Sequence, residues 1–82
     1  MTMTTQARYE VGVEGLGYIS GFCRTRDVAF REAVRLNNLA HSSTYMLENP
    51  VAYVFDRMAR IGKPELWHVV NGDLIVKSVR NG

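Results

Sequence analysis

The hydrophobic pattern at the start of the chain alternates with a period of two. In "RYEVGVE", charged residues and a glycine separate three apolar residues that share one side, Tyr9, Val11 and Val13. This alternation predicts a half-buried antiparallel strand. The glycines of "GLG" suit a turn, and "YISGFCR" then predicts a second strand over 18–24. Gly21 inside that strand indicates a bulge or a close approach by another element.

The period then becomes helical in "TRDVAFREAVRLNNLAH". Thr25 or Asp27 can cap the first turn, because each side chain accepts hydrogen bonds from free backbone N–H groups. Small or aliphatic residues recur at helical spacing at Ala29, Ala33, Leu36 and Ala40. We therefore expect a helix that packs closely on a sheet.

The segment "NPVAYVFDRMARIGKP" predicts a second helix. Asn49 suits the N-cap, Pro50 the first helical position, and Gly62 the left-handed residue after the last turn. The apolar stripe of this predicted helix consists of Val51, Val54, Phe55, Met58 and Ile61.

The last segment, "ELWHVVNGDLIVKSVRNG", predicts a β-hairpin around Asn71-Gly72. Across that turn, Trp67 should pair with Val76 and Val69 with Leu74 on one face. The opposite face is also largely apolar, with Leu66, His68, Val70, Ile75 and Val79. An apolar area of this kind needs a cover, which can be the second helix, a second copy of the chain or another protein. Homodimerisation is the favoured interpretation, through Trp67, His68, Val70 and Ile75.

These elements predict one small α+β domain over 7–82, with a flexible N-terminal arm over 1–6. The expected order is β-β-α-α-β-β, with a four-stranded antiparallel sheet packed by two helices. How the two hairpins join is not readable from the pattern.

Composition places the chain among ordinary globular proteins: of 82 residues, 46% are hydrophobic and 22% charged, with a net charge of +2. The single cysteine, Cys23, excludes an intrachain disulfide and suits a reducing compartment. The N-terminus lacks the apolar core of a secretory signal, and no apolar run approaches the ~20 residues of a membrane span. We therefore expect a cytoplasmic protein without a membrane partner.

The sequence offers no catalytic constellation. His41 and His68 match no metal-ligand spacing, and Cys23 has no defined partner for nucleophilic chemistry. The segment "GVEGLG" lacks the lysine of a phosphate-binding loop and leads into a strand, where such a loop would lead into a helix. We expect a non-enzymatic protein with no cofactor and no metal.

Four arginines, Arg24, Arg26, Arg31 and Arg35, can line one ridge along the first helix. The ridge can be a solvated face, with Glu32 pairing to Arg35, or it can contact an acidic protein or a nucleic acid. We take these four arginines together with Tyr53 as candidates for partner contact. Nucleic acid is possible but not favoured, because no stacking aromatics are interleaved with the arginines.

Two segments, "YEVGVEGLGYISGF" and "AFREAVRLNNLA", resemble the opening of HicB-type antitoxins, which run strand, Gly-Tyr, strand and an alanine-rich helix. The resemblance covers about a third of the chain. It departs from the family where the Pro-Gly-Cys segment is missing, and "NPVAYVFDRMARIG" has no counterpart.

The small size, plain chemistry and "YEVGVE" strand followed by a helix also resemble small phage-encoded inhibitors, including anti-CRISPR proteins. This resemblance implies an inhibitor that occludes the surface of a host protein or nucleoprotein complex, such as a defence complex. The alternative is a small nucleic-acid-binding regulator, or an antitoxin-like protein, that uses the surface formed by Arg24, Arg26, Arg31 and Arg35.

Overall fold

The computed structural model describes residues 8–14, 18–42 and 51–82, apart from the side chains of 18–22 and 42. Within these ranges the chain is α+β, as predicted, in the order β-β-α-β-β-β. The helix α1 spans Arg26–Ser42, and the strands are β1 Tyr9–Val13, β2 Tyr18–Cys23, β3 Ala52–Asp56, β4 Pro64–Val70 and β5 Asp73–Val79. The predicted arm over 1–6, the turn at 15–17 and the helix start at Asn49 and Pro50 lie outside the described residues.

All strands belong to one antiparallel sheet, in the order β2-β1-β3-β4-β5. The four predicted strands are present, and each predicted hairpin pairs as expected. The fifth strand, β3, lies between the hairpins and pairs with β1 on one side and β4 on the other. It therefore unites the two hairpins into one sheet.

The prediction of a second helix is wrong, because its central part forms β3. Ala52, Val54 and Asp56 are buried, whereas Tyr53 and Phe55 are half-buried, which is the alternation of a strand. Two apolar members of the predicted stripe, Met58 and Ile61, are instead exposed in the segment that follows. Gly62 does take the positive φ expected of it, at 85°, but in a turn between two strands.

The helix α1 begins as predicted at a threonine cap. The Val28 N–H donates to Thr25 Oγ1 at 3.3 Å, which satisfies one of the free donors of the first turn. The predicted packing face is confirmed, since Ala29, Ala33, Leu36 and Ala40 are all buried. The small size of the three alanines lets the helix axis approach the sheet, where α1 contacts mainly β1 and β3.

The structure also contains a bulge beside Gly21, which is one of the two features that this glycine indicates, and the tight turn predicted at Asn71-Gly72. The register of β1 against β2 moves from Val11–Gly21 to Gly12–Ile19, so a bulge leaves Ser20 without a partner. In the second hairpin, Asn71 and Gly72 have φ values of 52° and 82°. Two consecutive positive φ values characterise the type I′ turn, whose twist matches that of the paired strands.

The core lies between α1 and one face of the sheet. Besides the helix residues, it contains alternate residues of the strands: Tyr9, Val11, Val13, Ala52, Val54, Trp67 and Val69. In the described part of the chain, no helix lies on the other face of the sheet.

Candidate functional site

We call the face of the sheet turned away from α1 the open face. It carries the residues that alternate with the core positions, and one row across the strands consists of Gly12, Tyr53, His68 and Ile75. A neighbouring row contains Glu10, Phe55 and Leu66. Phe55 and Leu66 are half-buried, so the open face combines apolar surface with ionisable groups.

Tyr53 and Glu10 form the first polar pair of the open face. The Tyr53 hydroxyl donates to Glu10 Oε2 at 2.7 Å, across 43 residues of sequence. Partial burial, the hydrogen bond to Glu10 and the negative charges of Glu10 and Glu14 raise the pKa of Tyr53 to about 12. Gly12 lies directly opposite Tyr53 and has no side chain to project between the two glutamates. The phenol is therefore a neutral donor at physiological pH.

His68 and Glu14 form the second polar pair. His68 Nε2 lies 2.8 Å from Glu14 Oε2, and the two residues are 54 apart in sequence. The His68 side chain is 15% exposed and that of Glu14 is 50% exposed. The carboxylate fixes the orientation of the imidazole and pairs with its charge if the ring is protonated. His68 is thus held in the sheet surface and is only partly available to a partner.

The β4–β5 hairpin is the most exposed apolar part of the sheet. Val70 and Ile75 on the open face are 44% and 45% exposed, and Val76 on the opposite face is 47% exposed. The predicted pairs Trp67–Val76 and Val69–Leu74 are confirmed, but α1 does not extend over β5. Both faces of the hairpin therefore leave apolar surface uncovered in the described chain.

The four residues predicted for self-association do not share one surface. Trp67 is 7% exposed and belongs to the core beneath α1, so it is not available to a second copy. His68 is held by Glu14, whereas Val70 and Ile75 are exposed on the open face. The structure thus removes Trp67 from the predicted contact, because alternate residues of a strand point to opposite faces.

The five residues predicted for partner contact are divided in the same way. Arg24, Arg26, Arg31 and Arg35 are exposed at or along α1, whereas Tyr53 lies on the open face. They therefore do not form one surface with Tyr53. The expected pair within α1 is confirmed, since Arg35 Nε donates to Glu32 Oε1 at 3.0 Å. For Arg35, this pair supports the interpretation that the arginine ridge is a solvated helix face.

Groups suited to catalysis or metal binding do not converge in the described residues. No cluster of three or more metal-ligating side chains occurs there. Partial burial, together with the charge of Glu32, raises the pKa of the half-buried Cys23 thiol, which keeps it protonated and weakly nucleophilic. A concavity of about 460 Å³ lies between the end of α1 and the turn at Asn71-Gly72, and His41 is the one ionisable residue among the described residues that line it.

Sequence reasoning missed Glu10 and Glu14 as members of this site. Both alternate with buried residues of β1, so the sequence predicts the face of the sheet on which they lie. Their partners, however, lie on β3 and β4. The strand order that brings these elements together has no local signal.

The described residues include no helix long and apolar enough to cross a membrane. Comparison with family models, curated proteins and solved structures finds no match for this chain.

Proposed function

We propose that this protein is a small non-enzymatic binding module that acts by surface contact and self-associates through the β4–β5 hairpin. The observation that carries this proposal is the exposure of valines and an isoleucine on both faces of one hairpin, at Val70, Ile75, Val76 and Val79. Several exposed apolar side chains gathered on one hairpin typically mark a protein interface.

A second copy of the chain is the occupant that fits this surface best. Among the described strands, β5 is an edge strand, so one row of its backbone N–H and C=O groups has no partner strand there. In a two-fold dimer the same patch serves both subunits, so β5 of one copy can pair with β5 of the other. That arrangement gives both Ile75 and Val76 cross-strand neighbours, although they lie on opposite faces of the sheet.

The proposed target is a host protein or nucleoprotein complex in the cytoplasm, such as a defence complex. This part of the proposal rests on the resemblance to small phage-encoded inhibitors, which act by occlusion. The polar pairs of the open face support it, since Tyr53–Glu10 and His68–Glu14 present oriented polar groups beside apolar residues. Interfaces commonly combine tyrosine with such a mixed surface.

Sedimentation velocity over a concentration series tests the self-association. We expect the wild-type chain to sediment as a dimer and Ile75→Asp to sediment as a folded monomer, because a buried unpaired carboxylate opposes association. Val28→Asp is the matched control: Val28 is 44% exposed, close to the 45% of Ile75, but it lies in the first turn of α1. It should leave the dimer intact.

Far-UV circular dichroism must show that both variants are folded. A wild-type chain that is monomeric throughout, or an Ile75→Asp variant that retains the dimer, would overturn the proposed seam. If Ile75→Asp does not fold, Val76→Lys probes the same strand from its other face and carries the same expectation.

A further inference from the structure

At one end of the sheet, where β2, β3 and β5 finish and β1 and β4 begin, every strand has a cation beside it. We call these residues the basic edge: Arg24 follows β2, Arg8 precedes β1, Arg57 follows β3, Lys63 precedes β4 and Arg80 follows β5. The register confirms that these strand ends are neighbours, since Tyr9 lies opposite both Cys23 and Asp56. On the other hairpin, Pro64 lies opposite Val79.

The spacing of the basic edge follows from the sheet. Neighbouring strands lie about 4.8 Å apart, so five strand ends form a row roughly 19 Å wide. Arg26, the first residue of α1, and Arg60, in the turn after β3, lie at the same end. Seven of the ten lysines and arginines of the chain are therefore gathered at this end. The opposite ends of the strands are flanked by Glu14, Val51 and the Asn71-Gly72 turn, so the molecule is electrically polar.

Acidic residues neutralise only part of this charge. Asp56 is engaged by Arg8, and Glu65 accepts a hydrogen bond from the Ser78 hydroxyl at 3.2 Å. Among the described residues, no side-chain ion pair involves Arg60, Lys63 or Arg80. These three cations are exposed and remain available to an external anion.

The backbone holds this part of the basic edge in place. The Gly62 N–H donates to the Arg80 carbonyl at 2.7 Å, and the Arg80 N–H donates to the Lys63 carbonyl at 2.9 Å. The turn that carries Arg60 is thereby fastened to the end of β5. The backbone that carries these cations is therefore held in place before any ligand arrives, which lowers the entropy cost of binding.

From this arrangement we infer that the basic edge binds the phosphate backbone of a nucleic acid without reading its sequence. Of the described cations that remain available, Arg60 and Arg80 carry planar guanidinium groups, which match phosphate oxygens in a bidentate manner. A regular row favours a ligand with repeated charges along its length, which a phosphate backbone provides. The basic edge lies at the ends of the strands, whereas Ile75 and Val76, which test the proposed self-association, lie within β5, so different variants test the two proposals.

Fluorescence anisotropy with a labelled single strand and a labelled duplex tests the inference, from about 50 to about 200 mM salt. We expect binding whose affinity falls steeply with salt, because each neutralised phosphate releases counterions. The variant Arg60→Glu/Lys63→Glu/Arg80→Glu should bind more weakly and reduce the slope of log affinity against log salt by about 2 to 3. If it does not fold, the corresponding triple alanine variant carries the same expectation.

A control with the same change in net charge separates position from overall charge. Arg31→Glu/Arg35→Glu/Lys77→Glu alters the three cations that are not assigned to this end of the molecule, and it should retain most of the salt slope. Equal losses in both triple variants, or no binding of either oligonucleotide at about 50 mM salt, would overturn the inference. Binding of polyglutamate in place of the oligonucleotides would also overturn it and would assign the edge to an acidic protein.

Discussion

The guanidinium group of Arg8 donates two hydrogen bonds to the carboxylate of Asp56, from Nε to Oδ1 at 2.7 Å and from Nη2 to Oδ2 at 2.8 Å. The pair joins the residue before β1 to the last residue of β3. The Arg57 N–H also donates to the Arg8 carbonyl at 3.1 Å, and Asp56 Oδ1 accepts from the Met58 N–H at 3.0 Å. The buried Asp56 carboxylate thus links β1 to β3. It also accepts a hydrogen bond from the turn after β3, which carries part of the basic edge.

Replacing Asp56 by alanine should therefore lower the free energy of unfolding by about 1–3 kcal/mol, because the Met58 N–H and the Arg8 guanidinium lose their acceptor. The Asp56 side chain is 5% exposed, so water replaces it poorly. Urea unfolding measures the loss, and Asp73→Ala at an exposed strand end is the control. A loss no larger than that of the control would contradict this role.

Acid should weaken the same interaction. Burial opposes the charge of Asp56, but the hydrogen bonds from Arg8 and Met58 and the charge of Arg8 outweigh it and lower the pKa of Asp56 below its usual value of 3.8. A lowered folded-state pKa contributes stability that is present above the unfolded pKa and is lost as pH falls through the folded pKa. Urea unfolding of wild type and Asp56→Asn should thus differ most near neutral pH and converge below about pH 4. A difference that stays constant with pH would count against this assignment.

Loss of the Tyr53 hydroxyl proton in alkali should lower the free energy of unfolding. The pKa of Tyr53 is raised to about 12 in the folded protein, above the usual value of 10.0. The unfolded chain therefore loses this proton first, so the contribution of Tyr53 is complete below about pH 10 and is lost as pH rises toward 12. Absorbance titration of tyrosinate should show one late step in wild type that is missing in Tyr53→Phe. Loss of an earlier step in the variant would show that Tyr53 is not shielded.

Asn37 should be needed for the contact between α1 and β3. Its Oδ1 accepts the Ala52 N–H at 3.1 Å, and the residue is only 9% exposed. Asn37→Ala leaves a buried N–H unsatisfied and should destabilise the protein by about 1–3 kcal/mol, less a few tenths regained from the helix propensity of alanine. Asn38→Ala, the same change at the exposed neighbouring position, is the control for thermal unfolding. Equal melting temperatures in the two variants would contradict the role of Asn37.

The strongest local patterns predicted their elements well. The alternation around Val11, the helical spacing of Ala29 and Ala33, and the Asn71-Gly72 turn each describe contacts between residues that are close in sequence. Such contacts depend on propensity and periodicity, which a single sequence displays. The pairing of Trp67 with Val76 followed in the same way, since the turn sets the register of its hairpin.

The failure at β3 has a specific cause. Val51, Val54, Phe55 and Met58 fit a helical stripe, and Asn49-Pro50 and Gly62 add signals typical of helix ends. The competing alternation of Ala52, Val54 and Asp56 includes a buried carboxylate. In a sequence, an aspartate at such a position predicts exposure to solvent, so this alternation did not indicate a buried strand face. The buried charge of Asp56 is paired by Arg8, and that partner is 48 residues away.

The candidate sites also differ in whether they depend on local sequence or on contacts between distant residues. The excess of apolar surface on the last hairpin was visible in the sequence, whereas the burial of Trp67 beneath α1 was not. Arg24 and Arg26 were noticed because they precede a helix. Lys63 and Arg80, at the other end of the same row of strand ends, were not linked to them, because they come from distant parts of the chain.

Local patterns along the chain specify the two hairpins, the helix and its packing face, because each depends on residues that lie within about one element of one another. The folded sheet is needed to make β3 a strand, to join the hairpins through it and to place a cation beside every strand at the basic edge. Those features depend on which distant strands pair, and pairing is selected by the burial and hydrogen bonding of the whole sheet.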